Sequence, residues 1–387
     1  FRQSMNQRSY LDFNATAPLR AEVREAVVGA LALDGNPSSV HAEGRAARAA
    51  IEEARAKVAR LVGARPEDVI FTSGGTEANA LALAAPSGGA SWHCYLSAIE
   101  HPSVLNGGRF HPETTTVIPV TSAGVADLDV LAAKLEKHKP GGWRPIVSLM
   151  AANNETGAIQ PTADAATIVH EAGGLMHSDA VQAAGRIPLD MTALGADMVT
   201  LSAHKIGGPK GVGALVLTEG GSVEPLIKGG GQERRRRAGT ENLSGIVGFG
   251  VAAELAAADL ATMDALAKLR DELEAGVRGI AANVVILSAD VPRLPNTSCM
   301  AVPGLKAETL VIGLDLAGIA VSAGSACSSG KVEASHVLAA MGVAPEIAHG
   351  AIRVSLGFGS ENTDIHHYLS AFSDLVKRLK RNAKKAA

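Results

Sequence analysis

The feature that most constrains this chain is an alternation. Short apolar runs at 69–72, 94–97, 117–120, 146–150, 174–177, 196–201 and 212–217 are separated by helix-patterned stretches such as 78–85, 128–137 and 163–172. Strands interleaved with helices predict an α/β fold with a mostly parallel central sheet. In such sheets ligands bind in the crevice outside the carboxyl ends of the strands. With 387 residues the chain is long enough for two domains. The pattern predicts a large domain over 13–250, and a smaller α+β domain over 251–387 that takes in the N-terminal strand segment 5–12. The helix-patterned stretch 246–277, with its polar interruption, marks the change between them. Phe1-Arg2-Gln3-Ser4, ahead of Met5, is set aside.

Polar residues collect where those strands end. Thr76 follows the first, His101 the second, Asn154 the fourth, Asp179 the fifth and Lys205 the sixth. The last belongs to Ser202-Ala203-His204-Lys205, which closes an apolar run and opens into Gly207-Gly208. A lysine at a strand exit is ordinarily a solvated side chain, but in a crevice its amine can form a Schiff base with a carbonyl cofactor. Ser73-Gly74-Gly75-Thr76 reads either as a simple helix cap or as a cradle for an anion at a helix N-terminus. Five polar exits on one sheet edge carry more weight than any one of them.

Charge and composition exclude several classes of function. Net charge is −3, with 36 basic and 39 acidic residues, so no nucleic-acid footprint or basic membrane surface is expected. Cys94, Cys299 and Cys327 are far apart and form no CxxC, which argues against a disulfide framework and against a metal site. Their use fits a reducing cytoplasm. No apolar run is expected to reach the length of a membrane span. Arg234-Arg235-Arg236-Arg237 reads by default as a solvated patch. Arg353, in the strand-like run 351–356, is either a carboxylate clamp or an edge charge. Cys327 sits among Ser322, Gly324, Ser325, Ser328, Ser329 and Gly330, which leaves a reactive thiol and an incidental one equally open.

Asp179-x-x-Gln182 followed by Ser202-x-His204-Lys205, with Gly75-Thr76, His101 and the Ser/Gly loop bearing Cys327, resembles the cysteine desulfurases. These are pyridoxal 5′-phosphate (PLP) enzymes of the class V aminotransferase superfamily, within fold type I. The resemblance runs from Tyr10 to about Leu369, and Gly35-Asn36-Pro37-Ser38-Ser39-x-His41 points to the branch serving nitrogenase and iron-sulfur assembly. It implies that Lys205 carries the cofactor, that Asp179 pairs with its ring nitrogen and that Gln182 donates to its ring oxygen. His101 would lie over the ring and move protons, while Gly75, Thr76, Ser202 and His204 hold the phosphate. Thr240 would reach the phosphate in the neighbouring subunit of a homodimer. Asn154, Arg353 and Asn36 would serve the substrate L-cysteine, and Cys327 would take its sulfur as a persulfide for an acceptor such as an iron-sulfur scaffold protein. Gln232 stands where relatives commonly have histidine, outside this catalytic set. A selenocysteine lyase, an ordinary class V aminotransferase and a non-catalytic sulfur carrier are the alternatives.

Overall fold

The computed structural model describes residues 8–84, 91–138, 142–323 and 335–386. In chain order its strands are β1 (Ser9–Tyr10), β2 (Val69–Thr72), β3 (Trp92–Ser97), β4 (Thr115–Ile118), β5 (Arg144–Ser148), β6 (Leu175–Asp179) and β7 (Met198–Ser202). They are followed by β8 (Gly213–Leu217), β9 (Val285–Ile286), β10 (Thr297–Ala301), β11 (Ile319–Ala320), β12 (Ser322–Ala323) and β13 (Ala351–Ser355).

Seven of these strands form the central sheet, in the order β2-β8-β7-β6-β5-β3-β4. β2, β7 and β8 are buried at every residue. That is why they read as continuous apolar runs rather than alternating ones. The pairs β3–β4, β3–β5, β5–β6 and β6–β7 are parallel, whereas β8 runs antiparallel to both its neighbours. The reversal follows from connection length. Residues 203–212, which join β7 to β8, are too few to return over the sheet through a crossover helix.

A second sheet, β12-β13-β10-β9, is antiparallel throughout, and β1 pairs in parallel with β11. Leu11 is packed into this C-terminal core with Ile352, Val354 and Tyr368. The core of the large sheet reaches along the chain to Ala256 and takes in Leu294 beyond it, while Leu266 and Leu273 belong to the C-terminal core. The N-terminal segment therefore crosses from the second core to the mouth of the central sheet within a few residues.

The helical run Leu243–Ile280 contains a window apolar enough to cross a membrane, contrary to the sequence expectation. Its first part, Leu243–Asp259, instead buries Ile246, Phe249, Ala252 and Ala253 in the large core. Its glycines permit that approach: a Cβ on Gly250 would lie 2.6 Å from Ala54 Cα in the helix Ala42–Leu61. Gly250→Ala is therefore expected to cost about 1–3 kcal/mol by forcing the two helices apart. The thermal melting midpoint would fall and cofactor binding would persist; an unchanged midpoint would contradict this packing.

Candidate active site

The carboxyl ends of β6 and β7 open into a cavity of about 280 Å³. Gly75, Thr76, His101, Asn154, Asp179, Gln182, Ser202, His204 and Lys205 all line it, so most of the residues picked out in the sequence meet in one place. Three do not. Asn36 is exposed and accepts a bond from Ser38 N (2.9 Å), near a separate cavity lined by Pro37, Ser38 and Arg55. Thr240 is exposed and lines another small cavity with Thr72 and Arg237. Arg353 is buried behind Asn154, donating to the Asn154 carbonyl (2.9 Å) and to Asp12 Oδ1 (2.8 Å), with Nε left unpartnered. Cys327 lies outside the described residues.

Lys205 ends a single turn of 3-10 helix, Ala203–Lys205, directly after β7. Its Nζ donates to the Asn14 carbonyl (2.6 Å) and the Ala15 carbonyl (2.8 Å). Asp179 closes β6; its Oδ1 accepts from Val181 N (3.0 Å) and its Oδ2 from Asn79 Nδ2 (2.7 Å). Two residues back, buried His177 bonds Ser148 Oγ (2.8 Å) on β5 and Thr200 Oγ1 (3.0 Å) on β7. Burial pushes this imidazole down to about 4, so it is a neutral rung that locks the strand carrying Asp179.

His101 accepts at Nδ1 from Ser103 N (3.1 Å), and Ser103 Oγ lies 2.7 Å from the same nitrogen. Because a backbone amide only donates, Nδ1 is the acceptor and Nε2 carries the ring proton. Burial lowers the proton affinity of His101 and nearby Lys205 adds to the effect, while Asp179 opposes both. Asn79 links the two centres: its Nδ2 bonds Asp179 Oδ2 and also Ser103 Oγ (2.9 Å). Neither Asn79 nor Ser103 was singled out in the sequence. The available signals were spacing: Asn79 lies three residues after Thr76, on the same helix face, and Ser103 two after His101.

The helix Gly75–Ala82 begins on the cavity wall with no side chain capping its first turn. Thr76 and Ser202 stand beside these amides, and a Cβ on Gly75 would come within 3.1 Å of Val181 Cγ2 and 3.3 Å of Ser202 Cβ. Glu77, in the same turn, is drawn away by Arg237 (2.8 and 3.2 Å) and by Ser73 N (2.7 Å). The arginine run is thus more than a solvated patch. Arg234 and Arg236 both donate to the Glu67 carbonyl, at 3.3 and 2.9 Å. Residues 233–235 adopt left-handed φ values of 44°, 55° and 67°. The buried Arg55–Glu233 pair (2.7 and 2.9 Å) holds that turn.

The class V aminotransferase family matches residues 9–367. The chain belongs to this family. A cysteine desulfurase, IscS, of Dictyoglomus turgidum is 41% identical over 384 residues, spanning 97% of this chain and 96% of the relative. A NifS-like protein from Rickettsia africae superposes with a TM-score of 0.86 at 37% identity, covering 96% of this chain and all of that one. The structure of SspA in complex with cysteine follows with a TM-score of 0.74 and 29% identity, over 90% of this chain and 98% of that one.

Membership implies a PLP cofactor, and the cavity fits it on three counts. The uncapped helix start offers amide donors to a phosphate. Asp179 offers a buried carboxylate to a ring nitrogen, and Lys205 an amine to an aldehyde. Burial, helped by Lys205 and Lys210, pushes His204 down to about 4. A neighbouring phosphate would oppose that shift, and the ring, fixed by Thr16 Oγ1 at 3.1 Å, lies on the cavity wall where it could bond one.

Two outcomes test this geometry. Asn79→Ala removes a donor from Asp179 and from Ser103 at once, so stability should fall by about 1–3 kcal/mol and PLP should dissociate about tenfold more readily. Melting and equilibrium dialysis measure the two effects. Beside Asn154, burial raises Glu155 to about 7 against a Ser335 Oγ hydrogen bond (2.6 Å) and the Arg353 charge. A carboxyl raised on folding stabilises fully below its unfolded value, near 4.5, and loses that contribution as pH climbs through 7. Glu155→Gln should remove on the order of 1–3 kcal/mol of stability loss between pH 4.5 and 7.5, read by denaturant unfolding at each pH.

Proposed function

We propose that the chain is a PLP-dependent cysteine desulfurase. It would convert L-cysteine to L-alanine, leave the sulfur on Cys327 as a persulfide, and supply iron-sulfur cluster assembly or another sulfur carrier in the cytoplasm. The observation that carries this reading is the meeting of Lys205, Asp179 and His101 in one cavity beside an uncapped helix start. The names of the relatives, and the bound cysteine of one of them, supply the substrate class.

PLP, when bound, supplies an electron sink that makes the substrate α-proton acidic and the β-carbon–sulfur bond labile. Lys205 would hold the cofactor and take protons back and forth at its amine. Asp179, fixed by Asn79 and Val181, would keep a ring nitrogen protonated. His101 presents Nε2 to the cavity because Ser103 occupies Nδ1. Arg353, behind Asn154 and held by Asp12, would have to turn from these partners to meet a substrate carboxylate, with Asn154 on the cavity wall between them.

The sulfur step needs a thiolate that can approach and withdraw. Cys94 and Cys299 do not suit it: both are buried, and burial pushes each thiol up to about 12. That leaves Cys327. Its thiolate attacks the substrate sulfur, forming an S–S bond as the C–S bond breaks, and the β-carbon is protonated to alanine. Two electrons leave the thiols and reduce that carbon, so no outside oxidant is required. In a homodimer, Thr240 would complete the phosphate site of the partner.

Incubation of the PLP-loaded protein with L-cysteine should give alanine and one added sulfur on the peptide containing Cys327, read by mass spectrometry. Cys327→Ser should keep cofactor and cysteine binding and lose the added sulfur. Lys205→Ala should lose borohydride-dependent attachment of PLP. Keto-acid-dependent transamination without alanine release from cysteine would overturn the reading.

A further inference from the structure

One buried cation beside the cavity has no acidic partner among the described residues. Arg186 is 7% exposed, and no carboxylate of the described residues contributes to its electrostatic setting. Burial, reinforced by the charge of Arg353, pushes it down to about 9. Among the described residues its hydrogen bonds go to neutral oxygens. NH1 donates to the Gln182 carbonyl and to Gln182 Oε1, each at 2.6 Å. NH2 donates to the Phe13 carbonyl (3.5 Å) and to the Lys205 carbonyl (3.4 Å).

Those four oxygens belong to the elements that define the lysine. Gln182 Oε1 is taken by Arg186, so its Nε2 is the donor side, and Nε2 bonds the Asn14 carbonyl at 3.0 Å. The same carbonyl accepts Lys205 Nζ at 2.6 Å. A continuous path therefore runs from the guanidinium through the Gln182 amide and the Asn14 carbonyl to the lysine amine. A clamp that only tied down the N-terminal segment would need neither the Gln182 side chain nor a positive charge. An amide or a neutral donor could fill that role without placing a cation in a low-dielectric interior.

We propose that Arg186 is a positioning residue for the lysine. It sets the sense of the Gln182 amide so that Nε2 meets the Asn14 carbonyl that also receives Lys205, and its unneutralised charge keeps the Lys205 amine in the neutral form that attacks an aldehyde. The reason is electrostatic: a like charge held nearby, poorly screened by a buried setting, disfavours a second cation, and it acts against the Asp179 carboxylate, which shares the cavity with Lys205, His101 and His204. The proposal rests on Lys205 being the cofactor-bearing lysine, and the first arm of the test examines that assumption separately.

In that arm, borohydride reduction of the PLP-loaded protein followed by peptide mapping must place the cofactor on Lys205. Attachment at another lysine sinks the underlying reading rather than the role of Arg186. In the second arm, the cofactor is stripped and acetylation of Lys205 by acetic anhydride is followed across pH by mass spectrometry. The wild-type midpoint should lie below the ordinary lysine value of about 10.4. A wild-type midpoint at or above that value overturns the proposal without any variant. Arg186→Met should raise the midpoint by about one unit, a roughly tenfold loss of reactivity at neutral pH. Arg186→Lys, which keeps the charge, should restore at least half of the shift. The pH at which the visible absorption of the PLP-loaded protein changes should move in the same direction. A folded Arg186→Met protein, judged by circular dichroism, whose Lys205 midpoint equals that of wild type would overturn the proposal. So would Arg186→Lys shifting as far as Arg186→Met.

Discussion

The arrangement depends on the hydrogen bonds of one buried residue, Asn14. Its backbone amide donates to Ser355 Oγ (3.0 Å), and its side-chain Nδ2 to Thr297 Oγ1 (2.9 Å) and the Asn154 carbonyl (3.2 Å). Its Oδ1 accepts from Asn296 Nδ2 (3.1 Å). Its carbonyl then receives Lys205 and Gln182. Ser355, Thr297 and Asn296 belong to the C-terminal sheet and its approaches, and Lys205 and Gln182 to the exits of the central one. With both donors and both acceptors used, moving either sheet relative to the other would leave buried polar groups unpaired. The joint between the two cores and the position of the lysine are thus one constraint.

Around that joint the interior holds an unusual share of ionisable groups, sorted by whether they are paired. Arg353 has Asp12; Arg55 has Glu233; Arg186 has no acid among the described residues. Glu100, adjacent to His101, is raised well above the usual carboxyl value by burial and then by the Asp179 charge, against the Met150 N–H that bonds it. Low dielectric makes each choice consequential, since a charge without a partner acts on every neighbour it can reach. The cavity is accordingly an electrostatic setting fixed before anything enters it.

Most of the site was legible because parallel sheets concentrate function at one edge. Thr76, His101, Asn154, Asp179, Ser202 and Lys205 all follow apolar runs, and each lies where a strand-exit rule puts it. Asn79 and Ser103 were not legible, because their importance is the bridge they form, and a bridge between helix and loop has no period in the sequence. Arg186 was equally silent: an arginine after Gly185 reads as a surface charge until the burial around it is known. The apolar run from Leu243 shows the converse, since composition allows a membrane span and only the close approach of Gly250 to Ala54 reveals a core helix.

The sequence by itself determined the order of strands and helices, the residues at the strand exits and, through its motifs, the family. Local chemistry and hydrophobic period suffice for these, because neighbours in the chain carry them. Tertiary structure alone decided that Asn14 and Arg186 converge on Lys205, and which polar groups remain unpaired in the interior. Those facts join residues far apart in the chain, and desolvation acts only once folding has removed the water between them.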